Sequence, residues 1–195
     1  MEPIGKFRGR TVALPAAHID TDQIIPARFL KGSGRKGLGK ALFADWRYAP
    51  DGTPRPEFPL NRPGAQGATI LVAGDNYGCG SSREHAAWAM ADFGLRAVVS
   101  TSIADIHRNN LLKNGILPVL VDAETHREAL AAAERNLEFE IDLPNRTLTL
   151  PSGRTAVFPI DPFVQRCLMK GMDELGYLLS RLPEIEAYEA ARGLR

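Results

Sequence analysis

Gly74-Asp75-Asn76-Tyr77-Gly78-Cys79-Gly80-Ser81-Ser82-Arg83-Glu84-His85-Ala86 is the stretch on which the reading of this chain turns. The apolar run 68–73 leads into it, and an alanine-rich run with helical patterning, 86–93, leads out of it. That order predicts a strand, a glycine turn and a helix. Ser81 and Glu84 have the spacing of a capping box, in which each side chain would bond the other residue's amide. Gly78 and Gly80 lack a Cβ, so the backbone can turn sharply there and a ligand can come close. A helix start offers free N–H groups and the positive end of a dipole, which favour an anion.

Arg83 opposes that dipole. It reads either as a solvated arginine or as a partner of the helix end in holding one carboxylate through two parallel hydrogen bonds. Ser81 also has two readings. As a cap it contributes about 1 kcal/mol. As a reacting group it would sit where N–H donors stabilise negative charge on its oxygen. Spacing alone favours the plain cap, because most Ser-x-x-Glu matches are caps. Arg83 occupies the place of the third glycine of a dinucleotide-binding turn, and no Gly-Lys-Ser/Thr follows, so neither nucleotide fingerprint fits.

The 195 residues suffice for one domain with a sizeable core. Hydrophobic residues at 44% and charged residues at 24% are ordinary for a soluble globular protein. A net charge of +1 points neither to nucleic acid nor to an anionic membrane. Cys79 and Cys167 stand alone without Cys-x-x-Cys, which gives no disulfide framework and no metal site and fits a reducing cytoplasm. The start Met1-Glu2-Pro3-Ile4-Gly5 has no secretion pattern, and no apolar run reaches the length of a membrane span.

Taken in order, 7–14 reads as a first strand. Asp20-Thr21-Asp22 then reads as turn and cap chemistry before a short helix. The segment 31–40 holds four glycines and four cations, a solvated loop or a basic flap closing on an acidic substrate. A helix is expected over 41–48, with Leu42, Phe43 and Trp46 on one face. Prolines at 54, 56, 59 and 63 exclude a regular element over 51–66, an ordered surface excursion. Strands at 96–100 and 116–121 alternate with helices at 103–114 and 125–136, which argues for an α/β core. Pro118 suggests an edge position. The segments 138–143, 146–150 and 154–159 alternate in polarity and read as a meander added as a second sheet. Asp161-Pro162 opens a helix to Lys170, and 172–192 is helical with a break at Leu182-Pro183. The histidines at 18, 85, 107 and 126 have no metal-ligand spacing. His85 reads as packed or solvated, and His107 as a satisfied polar helix residue or a structural residue of an active-site wall.

The signature from Asp75 to Ala86 resembles that of the swivelling domain of the aconitase superfamily, and within it the small-subunit family of the bacterial isopropylmalate dehydratases. Asp20-Thr21-Asp22-Gln23-Ile24-Ile25-Pro26-Ala27 and Ile103-Ala104-Asp105-Ile106-His107-Arg108-Asn109-Asn110-Leu111 agree with it in the right order, and the likeness spans nearly the whole chain. The resemblance implies one swivelling β/β/α domain over 1–195, with a mixed sheet and flanking helices. It implies reversible dehydration of a small hydroxy-dicarboxylate. Ser81 matches the family's catalytic base and Asp22 has a place at the active site. Arg83 matches the residue that binds the substrate carboxylate, and Ser82 helps to hold the substrate. Arg35 is the candidate for the family's substrate-contacting loop arginine, with Arg28 and Lys31 as competitors. The family's [4Fe–4S] cluster is expected on a larger partner subunit and not on this chain, so activity is expected only in the complex. Isopropylmalate is the expected substrate. A methylmalate or homocitrate enzyme is the alternative within the family, and a non-catalytic anion-binding module is the alternative outside it.

Overall fold

The computed structural model describes residues 1–30 and 34–193. Along the chain run β1 (Lys6–Leu14), α1 (Thr21–Ile24), α2 (Ala44–Arg47), β2 (Ile70–Ala73), α3 (Glu84–Phe93), β3 (Ala97–Ser100), α4 (Asp105–Lys113), β4 (Leu117–Leu120) and α5 (Ala123–Glu134). Then follow β5 (Glu138–Asp142), β6 (Thr147–Thr149), β7 (Thr155–Val157), α6 (Pro162–Lys170), α7 (Glu174–Ser180) and α8 (Leu182–Ala191). Short 3-10 turns lie at Ala27–Phe29, Leu38–Ala41, Pro59–Asn61 and Pro63–Ala65.

The strands form one seven-stranded sheet in the order β4-β3-β2-β1-β5-β6-β7. β1 belongs to both halves of it. Thr11 to Leu14 pair in parallel with β2, while Lys6 to Arg10 pair antiparallel with β5. Its burial changes at the same point: the first residues alternate in exposure and the last four are buried. Parallel strands covered on both faces read as continuous apolar runs, and β2 and β3 do, whereas a half-solvated antiparallel strand alternates. Side chains of the parallel half point to two faces with period two. Val12, Leu14, Leu71, Ala73 and Val98 meet Ala86 and Met90 of α3. Ala13, Ile70, Val72 and Val99 join Ala129 and Ala133 of α5 in the other core, with Phe139, Ile141, Leu148 and Phe158. His126 of α5 donates from Nε2 to the Ala73 carbonyl at 2.7 Å, fixing α5 at the end of β2.

Three expectations change. The meander is not a second sheet: β5 pairs with the free half of β1 and so extends the first one. The helix expected over 41–48 shrinks to α2, because Phe43 takes a left-handed φ of 53° that no continuous helix contains. Phe43 still stacks on Trp46 at 6.0 Å, so the apolar face survives the break. In the glycine-rich segment, Lys31, Gly32 and Ser33 lie outside the described residues. Its end is seated on α3, where the Gly39 amide donates to Asp92 Oδ2 at 2.7 Å and a Cβ on Gly39 would lie 2.6 Å from the Phe93 nitrogen. Pro118 lies in β4 at the sheet edge, where its missing N–H removes no ladder bond from a central strand.

Candidate active site

In an open parallel sheet, ligands bind beyond the carboxyl ends of the strands. Here the loops after β1, β2 and β3 meet beyond those ends. Single bridges carry the pairing past the strands, from Asp20 to Cys79 and from Tyr77 to Ile103. The Gly78 amide donates to the Ile19 carbonyl at 2.7 Å and the Thr21 amide to the Cys79 carbonyl at 3.0 Å. The Tyr77 amide donates to the Ser102 carbonyl at 3.2 Å, and the Ala104 amide to the Tyr77 carbonyl at 2.9 Å. The three motifs that are far apart in sequence are therefore one hydrogen-bonded unit.

Gly78, with φ of +73°, makes the turn, and its Cα lies flush against the His107 ring. Asp75 anchors the start of the turn by accepting from the Ser102 hydroxyl at 2.6 Å and the Thr101 hydroxyl at 2.9 Å. Those bonds, Ser102 first, hold its carboxyl below the usual range. The capping box is absent. α3 starts at Glu84 with Arg83 as the cap position and no side-chain cap. Glu84 instead turns along α3, where Oε1 accepts from Asn114 Nδ2 at 3.1 Å and from Trp88 Nε1 at 3.2 Å. The Asn114 bond leads the effects that depress its pKa. The Ser81 and Ser82 hydroxyls make no hydrogen bond among the described residues, and both residues are exposed. The amides of Gly80, Ser81 and Ser82 are likewise unpaired among the described residues, beside the first amides of α3. Such a row of donors beside an unengaged hydroxyl stabilises an oxyanion.

Asp22 and Arg83 come together. Arg83 Nη1 contacts Asp22 Oδ1, with the arginine side chain 21% exposed and the aspartate 54%. As an exposed pair this contributes on the order of 0.5 kcal/mol to stability. Its effect on geometry is larger, since Nε and Nη2 stay unpaired among the described residues and can engage a ligand carboxylate bidentately. Asp20 is the N-cap of α1 in a reciprocal box with Gln23, as its turn chemistry predicted. Thr21, which the sequence reading passed over, fixes the loop: its Oγ1 donates to the Ser81 carbonyl at 2.9 Å. Its place between the two aspartates was the available signal.

Arg35 is not with this group. Its guanidinium lies over the Trp88 ring at 4.9 Å, one turn along α3. Arg28 pairs with Asp45 at 2.5 Å beside a 670 Å³ cavity that also takes in Tyr48 and Arg55. Among the described residues, Asp22, Ser81, Ser82 and Arg83 line neither this cavity nor four further ones of 160 to 530 Å³. His85 packs on Trp88, with ring centres 4.4 Å apart. His107 departs from the first of its two readings, a satisfied polar residue: it is 1% exposed and neither ring nitrogen has a partner among the described residues. Among the described residues no cluster of three or more His, Cys, Asp or Glu is placed to hold a metal. The Cys79 thiol donates to the His18 carbonyl at 3.4 Å and Cys167 is buried in α6. Two cysteines so placed do not fit the roughly four thiolates that an iron–sulfur cluster takes. No described helix is long and apolar enough to cross a membrane.

A strand-to-helix turn of this kind, with serine and arginine at its rim, defines a class. Residues 1–124 match the family model described as the aconitase C-terminal domain, and 128–162 match the LeuD_N model. The 3-isopropylmalate dehydratase small subunit of Anaeromyxobacter dehalogenans is 60% identical over 98% of this chain and 100% of its own length. That of Chloroflexus aurantiacus is 55% identical over 98% and 96%. The crystal structure of 3-isopropylmalate dehydratase (LeuD) from Methanocaldococcus jannaschii superposes with a TM-score of 0.69 at 25% identity, covering 94% of this chain and 99% of that one. The chain belongs to the family of 3-isopropylmalate dehydratase small subunits.

Proposed function

We propose that this chain is the small subunit of a heteromeric hydro-lyase that interconverts 2-isopropylmalate and 3-isopropylmalate in leucine biosynthesis, in the cytoplasm. Identity of 54–60% to relatives of that name, over at least 98% of this chain, carries the proposal. The meeting of the Asp22 and Ser81–Arg83 motifs on one ridge supports it.

Ser81 Oγ, ionised beside the free amides, takes the proton from the carbon next to a substrate carboxylate. The C–H electron pair becomes the alkene as the hydroxyl leaves the neighbouring carbon as hydroxide, with the C–O pair; hydroxide then adds to the carbon that lost the proton and Ser81 returns its proton to the other carbon, which gives the isomer and restores the base. Arg83 holds the carboxylate with Nε and Nη2, and Asp22 keeps the guanidinium turned to present them. Ser82 contributes its amide and hydroxyl to the substrate, and Arg35 acts from the side of α3. The ridge is exposed, so the reaction needs the large subunit to enclose it. The family's [4Fe–4S] cluster would belong to that subunit, where it would supply a Lewis acid for the substrate hydroxyl. The chain acts as one swivelling unit against that partner.

The test is turnover of the reconstituted two-subunit complex on isopropylmalate, methylmalate and homocitrate, read by the ultraviolet absorbance of the alkene. Isopropylmalate is expected to be turned over best, with no turnover by this chain alone. Preference for another acid would move the enzyme within its family. A complex inert towards all three would leave the anion-binding module. Arg83→Lys in that complex is expected to lower kcat/KM by about tenfold to a hundredfold, chiefly through KM, because lysine keeps the charge and loses the fork. Unchanged kinetics would make Arg83 a surface partner of Asp22 and nothing more.

A further inference from the structure

The buried ring of His107 has no role in the reading above, and its surroundings do not explain why it is a histidine. The residue is 1% exposed, and both Nδ1 and Nε2 lack hydrogen-bond partners among the described residues. An unpaired polar ring is a costly way to fill a core position that a leucine would fill more cheaply. Burial depresses its pKa to about 4, so the ring is neutral at neutral pH. The ring also lies against Gly78 in the signature turn. A Cβ on Gly78 would lie 2.1 Å from its Cδ2, 2.3 Å from its Cγ and 2.7 Å from its Cβ. The Tyr77 ring closes the other side, edge-on at 5.4 Å between centres. The ring occupies the space that a side chain at Gly78 would need. A tetrahedral Cγ, as in leucine, would push a methyl into the turn or swing away from it.

We propose that His107 is a positioning residue for the reaction: its flat face is the wall against which the Gly78 turn is set, and through that turn it fixes Ser81 three residues later. The proposal rests on the role given to Ser81 above. Three residues span at most about 10 Å, and the intervening backbone is held at Gly78 by Ile19 and at the Ser81 carbonyl by Thr21. A shift of the wall therefore becomes a shift of the serine. A misplacement of about 1 Å costs on the order of a hundredfold in rate.

Two variants separate this role from simple core filling. His107→Leu keeps an apolar side chain of similar volume and loses the flat face. His107→Asn keeps planar atoms at Cγ and leaves a buried amide unsatisfied. In the complex with the large subunit, His107→Leu should melt near the parent and lose about thirtyfold in kcat, with KM changed less than threefold. His107→Asn should melt lower and retain kcat within about fivefold. Core filling alone predicts the opposite order, with kcat following stability, and that result would overturn the proposal. A readout independent of turnover is amide exchange in the isolated chain. His107→Leu should speed exchange at Tyr77, Gly78 and Thr21 at least tenfold without affecting β2 or β3. Unchanged exchange would also overturn it. Should Ser81→Ala prove active, the base assignment fails, while the exchange result still decides whether His107 sets the turn.

Discussion

Replacing Ser81 by alanine is expected to lower turnover of the complex by a factor on the order of 10² to 10⁴, with the fold unchanged. That is the usual contribution of a positioned general base. The structure makes the test clean. The Ser81 hydroxyl caps no helix and bonds no described residue, so its removal has no structural cost to confuse the result. Exposed substitutions of this kind stay within about 0.5 kcal/mol, which for a chain of this size is roughly 1–2 °C in Tm. The Ser81 carbonyl still accepts from Thr21, so the turn keeps its shape. Single-turnover measurement of alkene formation, beside a melting curve, checks both halves. A folded Ser81→Ala complex within tenfold of the parent would remove Ser81 from the chemistry.

Gly78→Ala is expected to be the most damaging single-methyl change in the signature, for two reasons that add. An alanine at φ +73° costs about 1–2 kcal/mol. The new Cβ would also overlap the His107 ring, at 2.1 Å from Cδ2, and overpacking of this kind costs about 1–3 kcal/mol. Together about 2–5 kcal/mol should appear as a fall in Tm of roughly 5–15 °C. The two causes separate in a double variant. Adding His107→Ala removes the two nearest ring contacts and leaves the backbone term and the 2.7 Å approach to the residue's own Cβ, so the pair should be less destabilised than the sum of its single changes. Strict additivity would show that the ring and the glycine do not meet in solution.

Much of this was legible in the sequence because local chemistry and tertiary structure agree there. The apolar runs of β2 and β3, the Asp161-Pro162 start of α6 and the edge position of Pro118 all follow from the residues themselves. The parts that were not legible are those settled by long-range pairing. Nothing in 138–159 says that its first strand will find the outer half of β1, so the meander looked like a separate sheet. Ser81 and Glu84 have ideal capping spacing, yet Glu84 is drawn to Trp88 one turn on in α3 and to Asn114, which the packing of α3 against the end of α4 supplies. Likeness to a family, not spacing, gave Asp22 a place at the active site; its pairing with Arg83, sixty-one positions away, is legible only in the structure. The place of Arg35 also came from that likeness, and its guanidinium lies on Trp88, a contact that spacing does not announce.

The division of β1 between two partners also bears on how the chain is made. The strand leaves the ribosome early, but Lys6 to Arg10 must wait for Glu138 to Asp142 before their outer edge is covered. At about 5–20 residues per second this wait is on the order of 10 s. During that time half of the central strand stands as an open edge, the kind of surface that invites pairing with another chain. Its sequence answers this with Lys6, Arg8 and Arg10, three cations in alternate positions along the waiting half. Two of them later close on Glu140 as ion pairs, so charges that keep nascent chains apart become contacts of the finished sheet.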